Sequence, residues 1–239
     1  MNKRLKNNRL RKLCWLLFVK VPLALVLLSV LVTLLYRWTP VFVTPLMVSR
    51  RIEYRGDKEF RTQKKWRSLD RISVECPRAV IASEDNLFFT HKGFDWDEID
   101  KVLTDHREKG TKLRGASTIS QQTAKNVFLL PSRTLARKAL EAYFTFLIER
   151  LWGKRRILEV YLNVAEMGKG IYGIEAASQA YFQIPSSRMN RSQACLVAAS
   201  LPNPLQRNPA SPSAFVRRRA RDVAALERKL SYPDWLQVK

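Results

Sequence analysis

The sequence predicts a mainly α-helical protein, a helical domain behind a single N-terminal transmembrane helix. Three observations carry that prediction. Apolar residues recur at three- and four-residue spacing through most of the chain after Cys76. Alternating, strand-like patterns are scarce. Near the N-terminus, the run CWLLFVKVPLALVLLSVLVTLLY from Cys14 to Tyr36 has Lys20 as its only charge. At about 23 residues it is long enough to cross a hydrocarbon core of roughly 30 Å.

The elements follow in chain order. MNKRLKNNRLRKL, residues 1–13, carries Lys3, Arg4, Lys6, Arg9, Arg11 and Lys12 and no acid. Such a tail is expected to stay cytoplasmic, which puts the rest of the chain across the membrane. Residues 14–36 form the transmembrane helix. Lys20 lies near the basic end and can snorkel to the headgroups. Trp15, Tyr36 and Trp38 fall at the two expected interfaces. A cleaved signal peptide is the rival reading, but the run is long and ends in LLYRWTP without a small-residue cleavage pattern. Residues 37–70 read as a juxtamembrane segment, apolar but broken by Pro40 and Pro45, then basic.

Residues 71–230 read as the folded domain. PRAVIASEDNLFF places Pro77 near a helix start. LTDHREKGTKLRG is polar and glycine-flanked and reads as a mobile loop. STISQQTAKNVFLL opens on Ser117 and Thr118 as N-cap candidates. TLARKALEAYFTFLIERLW, KRRILEVYLNVAEM and GIEAASQAYF carry amphipathic spacing. RSQACLVAASL is a buried helix stopped by Pro202 and Pro204, and FVRRRARDVAALERKL is a last, very basic one.

Composition narrows the function classes. The chain has 239 residues, a net charge of +22 and 46% hydrophobic residues. The charge suits polyanionic partners, namely nucleic acid, anionic headgroups or a phosphorylated substrate. The hydrophobic share excludes a disordered basic tail. Cys14, Cys76 and Cys195 form no CxxC pair, which argues against structural zinc. Cys195, in a buried helix, reads as a lone packed thiol, with pairing to Cys76 left open.

Three constellations carry chemistry. ASEDNLFFTHKGFD sets Glu84, Asp85, His91 and Asp95 among Phe88, Phe89 and Phe94. Apolar walls disfavour the ionised carboxylate, which moves Glu84 toward the range useful to a general base; a helix cap over a core is the plainer reading. In RGASTISQQTAKNVFL, Thr118, Gln122 and Lys125 share a helix face and offer a hydroxyl, an amide and an ammonium, suited to a phosphate or sugar. No GxxxxGK[ST] is present. In PSRTLARKALEAYFTFLIE, Arg133, Arg137 and Glu141 recur every four residues on one expected face, with Ala139, Tyr143, Phe146 and Leu147 packing the other side down. Glu159, Asn163 and the glycines 168, 170 and 173 between Glu166 and Glu175 read as scaffold.

EDNLFFTHKGFD, RGASTISQQTAKNVFL, RKALEAYFTFLIE, KRRILEVYLN and GIYGIEAASQAYF resemble the five ordered motifs of the peptidoglycan glycosyltransferases, glycosyltransferase family 51, from about Pro77 to Pro204. The resemblance implies a lysozyme-like fold with a head and a membrane-dipping jaw. It implies a lipid II substrate and an inverting transfer that builds β-1,4-linked glycan and releases undecaprenyl pyrophosphate. By motif position, Glu84 is expected as the general base. Glu141 is expected as the second acid near the donor, assisting the pyrophosphate's departure or orienting its partners. Lys125 and Arg133 are expected to bind pyrophosphate. Ser117, Thr118, Gln122, Asn126 and Arg137 are expected to line the same cleft, and Asp85, Phe88 and His91 to shape the first motif. No SxxK or K[ST]G occurs, so no transpeptidase activity is expected. The expected partners are lipid II, the growing glycan, the membrane and other wall-synthesis or division proteins, and no nucleic acid. No cofactor is required; assistance by magnesium or manganese stays open, since no ligand spacing identifies a site. A wall-degrading muramidase and a non-enzymatic binder of anionic polymer, using RRRAR, are the competing classes.

Overall fold

The computed structural model describes residues 15–110 and 117–237. The basic tail 1–13, Cys14, and residues 111–116 of the polar segment lie outside the described residues. Contacts divide the chain into two units, one ending at Thr39 and one running from Pro40.

The first unit is one apolar helix, α1 (Leu16–Tyr36), with a mean hydropathy of 2.5, long and apolar enough to cross a membrane. Its first five residues, Leu16–Lys20, are wound as a π-helix. Pro22 explains this, because it lacks the N–H that would close the ladder and its ring crowds the preceding turn. The hydroxyls of Ser29 and Thr33 donate to Val26 O and Ser29 O, both at 2.7 Å, so neither is left bare in an apolar run. The Lys20 ammonium sits 4.7 Å from the Trp15 ring centroid.

The second unit is helical with one small sheet. Its elements are α2 (Pro45–Glu53), β1 (Gln63–Lys64), α3 (Glu75–Glu84), α4 (Trp96–Lys109), α5 (Ile119–Phe128), α6 (Leu135–Leu151), α7 (Lys154–Val164), β2 (Glu166–Gly168), β3 (Ile171–Tyr172), α8 (Ile174–Phe182), α9 (Arg191–Ser200) and α10 (Ala214–Glu227). The segment after Pro40, expected as juxtamembrane, supplies α2 and β1 to this unit. β1 pairs parallel with β3 and β2 antiparallel with β3, giving the order β1-β3-β2. Gly170 makes the close pairing feasible: its φ is +73°, and a Cβ there would lie 2.2 Å from Arg61 O.

Two helix clusters form the core. α3 packs on α9 and α10, which also pack on each other; α5 packs on α6 and α7. Val80, Ile81, Ile119, Ile148, Ile157, Leu158 and Ala198 are essentially sealed from solvent. Cys76 and Cys195 are free and buried, and Cys76 Sγ lies 3.6 Å from Met189 Sδ. Arg67 knits the sheet side. Its N–H donates to Asn163 Oδ1 at 2.7 Å and its guanidinium to Glu175 Oε1 at 3.0 Å. Burial opposes ionisation of Glu175, but the bonds from Arg67 and Ser186 win and hold its carboxyl down to about 2. Asn163 and Glu175 are therefore scaffold, as the sequence suggested.

Three expectations are corrected. The segment from Leu103 was expected as a loop, but α4 continues to Lys109 and closes on Gly110 at φ +61°. Its start is set by Asp95, whose carboxylate accepts from the Glu98 N–H at 2.9 Å. Arg133 does not share a helical face with Arg137 and Glu141: Thr134 is the N-cap of α6, accepting from the Arg137 N–H at 3.2 Å, so Arg133 precedes the helix and is exposed. The apolar side of α6 packs down only in part, at the half-buried Tyr143 and Leu147. Ala139 and Phe146 are exposed, and Leu135 is 90% exposed, while Glu141, Thr145 and Ile148 face inward.

Candidate active site

Glu84 is the last residue of α3, whose buried side chains from Cys76 to Ala82 hold it against α9 and α10. Asp85, at φ −165°, ends the helix, so Glu84 sits on a fixed terminus. Its Oε2 accepts from Gln122 Nε2 at 3.0 Å, and Ser83 Oγ lies 3.3 Å from Oε1. Burial pushes the Glu84 carboxyl up. The Gln122 hydrogen bond and the charge of Arg219 oppose that without reversing it.

Asp85 turns the other way and acts as a fastener. Its carboxylate accepts from the Ile119 N–H at 2.9 Å and lies 2.9 and 3.1 Å from His91 Nε2. Gly93 N–H donates to His91 Nδ1 at 3.1 Å. Nδ1 is therefore the acceptor, and the ring's proton is on Nε2, facing Asp85. The first motif is tied by this route to the N-terminus of α5. Thr118 adds a second tie: it is the N-cap of α5 in a capping box with Gln121, and its hydroxyl donates to Gly93 O at 2.7 Å. The hydroxyl expected to face a ligand is thus already engaged. Gly93 permits the approach. At φ +99°, a Cβ there would lie 2.9 Å from Thr145 Cγ2. Phe88 is fully buried, with the Lys154 ammonium 4.6 Å from its ring centroid.

One turn along α5 from Gln122, Lys125 is largely buried, and desolvation lowers its ammonium's pKa against the pull of Glu141 and Glu84. Its charge interactions run to Glu141, Arg137, Lys138 and Glu84, which places it electrostatically between the two acids. Glu141 itself is buried and clasped by Arg137 Nη1 and Lys138 Nζ. The Arg137 Nε is buried without a hydrogen-bond partner among the described residues. Lys138 Nζ lies 3.5 Å from Ser117 Oγ, linking this cluster to the start of α5.

A cleft of about 870 Å³ opens over Glu84. Of the residues named from the sequence for their chemistry, Glu84, Asp85, Asp95, Ser117, Thr118, Gln122 and Lys125 line it. Phe88, His91, Asn126, Arg137 and Glu141 do not line it. Phe88 and His91 support the first motif from behind, Asn126 is buried in α5, and Arg137 and Glu141 approach through Lys138 and Lys125. Arg133 stands apart, ahead of α6. Sequence reasoning missed Asp97, Glu98 and Lys101 of α4, Arg207, and Arg219 of α10, all on the cleft wall. For Arg219 a signal existed. It sits three residues after Val216 and four before Val223, both buried, so it lies on the inward stripe of α10. Among the described residues, no group of three or more His, Cys, Asp or Glu side chains could hold a metal ion.

The arrangement offers one desolvated carboxylate, one desolvated ammonium and further cations around a single cleft, an inventory for proton abstraction beside an anionic leaving group. Comparison with known proteins agrees in kind. A family model described as transglycosylase matches residues 52–227. The biosynthetic peptidoglycan transglycosylase of Bacteroides thetaiotaomicron is 50% identical over 199 residues, covering 83% of this chain and 80% of that one. Its counterpart in Caulobacter vibrioides is 46% identical over 213 residues, 89% of this chain and 90% of that one. A third, from Chromohalobacter salexigens, is 44% identical over 228 residues, 95% and 96% of the two chains. With its motifs, its cleft and matches of this extent, the chain belongs to the transglycosylase family.

Proposed function

We propose that this protein is a peptidoglycan glycosyltransferase of cell-wall synthesis that polymerises lipid II into β-1,4-linked glycan. The observation that carries the reading is the desolvated Glu84 carboxylate on a cleft shared with the Lys125 ammonium. Glu84 takes the proton from the 4-hydroxyl of the acceptor sugar. The oxygen forms a bond to the anomeric carbon of the donor chain as that carbon's bond to pyrophosphate breaks. Attack from the opposite face turns the α linkage into a β linkage, and undecaprenyl pyrophosphate leaves with the electron pair. Lys125, the ammonium on the cleft, meets the charge growing on the pyrophosphate, with Arg137 adding positive charge from behind it. Glu141 holds Arg137 and Lys138 in place for that step.

The reaction so written needs no cofactor. These 239 residues carry neither SxxK nor K[ST]G, which supports glycosyl transfer without peptide cross-linking. The apolar α1 anchors the chain in the inner membrane. The basic residues before it support a cytoplasmic N-terminus and a periplasmic catalytic unit. The test is glycan synthesis from labelled lipid II in detergent. Wild type is expected to make polymer and Glu84→Gln to lose at least about a hundredfold in rate. Equal polymer from both would remove Glu84 from the mechanism. Lysis of purified wall with no polymer would make the enzyme degradative.

A further inference from the structure

Tyr161 lies in α7, the KRRILEVYLN segment that the sequence offered only as scaffold. It is 1% exposed, yet its hydroxyl is not idle: it donates to Gln122 Oε1 at 3.1 Å. The opposite atom of the same amide, Nε2, donates to Glu84 Oε2 at 3.0 Å and lies 3.4 Å from Ser117 O. The line therefore runs phenol, amide, carboxylate, from the sealed core of α7 through α5 to the cleft.

The direction of this line follows from chemistry alone. An ionised carboxylate can only accept, so the amide edge facing Glu84 must be the NH₂. The amide oxygen then faces Tyr161, which must donate. Burial, with the charges of Glu84 and Asp85 adding to it, raises the phenol's pKa well above its ordinary value, so the donor keeps its proton throughout the working pH range. A half-turn of the amide would set its oxygen against Glu84 and would also lose the phenol's bond, so the hydroxyl adds to the preference for one orientation.

We propose that Tyr161 is a positioning residue, whose hydroxyl fixes the orientation of the Gln122 amide so that its N–H edge is always turned to Glu84. The claim rests on the reading of Glu84 as the general base. Tyr161 touches no substrate; it governs how readily Glu84 sheds its proton between turnovers.

The test is the pH–rate profile of lipid II polymerisation at saturating substrate, for full-length wild type, Tyr161→Phe, Gln122→Met, the double variant and Glu84→Gln. Phenylalanine fills the same space, so folding is retained, and this is checked by thermal melting. The loss of one oriented hydrogen bond to the carboxylate should move the acid limb of the Tyr161→Phe profile up by about one pH unit. On that limb the rate falls about tenfold, while on the alkaline plateau it stays within about twofold of wild type. Gln122→Met should move the limb likewise, and the double variant should add nothing further. A Tyr161→Phe profile lowered evenly at every pH, or additive shifts in the double variant, would overturn the positioning role while leaving Glu84 as the base. Full activity in Glu84→Gln would overturn both.

Discussion

Glu84 and Glu141 are the same side chain, both withdrawn from water, in opposite company. Glu84 has an amide and a hydroxyl within hydrogen-bond reach and, among the described residues, no cation bonded to it. Glu141 is gripped by a guanidinium and an ammonium from its own helix, one turn back. A carboxylate left with neutral partners keeps the desolvation cost of its charge and gains by taking a proton. One clasped by cations serves chiefly to hold them. On the function proposed above, the difference separates the group that would move a proton from the group that organises positive charge.

The sharpest break of this contrast is Glu84→Gln. The rate should fall at least about a hundredfold, while stability at pH 7.5 should hold or rise. The sign follows from linkage. The folded pKa of Glu84 lies above the unfolded one, so its proton stabilises the fold at low pH, and that contribution is lost as pH rises through the folded value. Removing the charge removes the loss. Chemical denaturation of both proteins at pH 5 and pH 7.5 checks it, and a variant that is less stable at the higher pH would contradict the account.

Glu141→Gln should behave in the opposite sense, losing activity and stability together. Breaking a buried ion pair costs about 3–5 kcal/mol. Lys138 is nearly half exposed, so solvent screening reduces the expected loss to about 1–3 kcal/mol. Urea melts measure the stability, and a rate reduced with no loss of stability would give Glu141 a direct chemical part. Gly93→Ala should leave both carboxylates in place and loosen the frame between them. The strained φ and the clash with Thr145 predict a loss of about 1–3 kcal/mol. Thermal denaturation would show it, with the pH–rate profile unmoved. The smallest effect is expected from Lys138→Met. Arg137 still holds Glu141, so stability should change by less than about 1 kcal/mol and the rate by only a few-fold.

Much of this contrast was legible in the sequence. Periodicity gives the helices because burial in this unit follows the helical repeat, and it sets Glu84 at a helix end and Gln122 and Lys125 on one face. Thr118 was legible as a cap for the same local reason. Periodicity does not reveal where a helix begins: it puts Arg133 on α6, whereas Thr134 is the cap. A polar composition hid α4, whose start depends on a single Asx cap. On α6 the usual inference from apolarity to burial holds only in part, because the inward face carries Glu141 and Thr145 beside Ile148. Tyr161 and Arg219 meet Gln122 and Ser83 across separations of 39 and 136 residues, which no local pattern encodes.

The exposed part of α6 has a preparative consequence. Leu135, Ala139 and Phe146 form an oily stripe on the outside of the catalytic unit, and Phe42, Val43 and Ile52 add further bare hydrocarbon. Full burial of one such large side chain gains about 1.5–3 kcal/mol. A fragment starting at Pro40, without α1, would therefore still pellet with liposomes and still need detergent to stay dispersed.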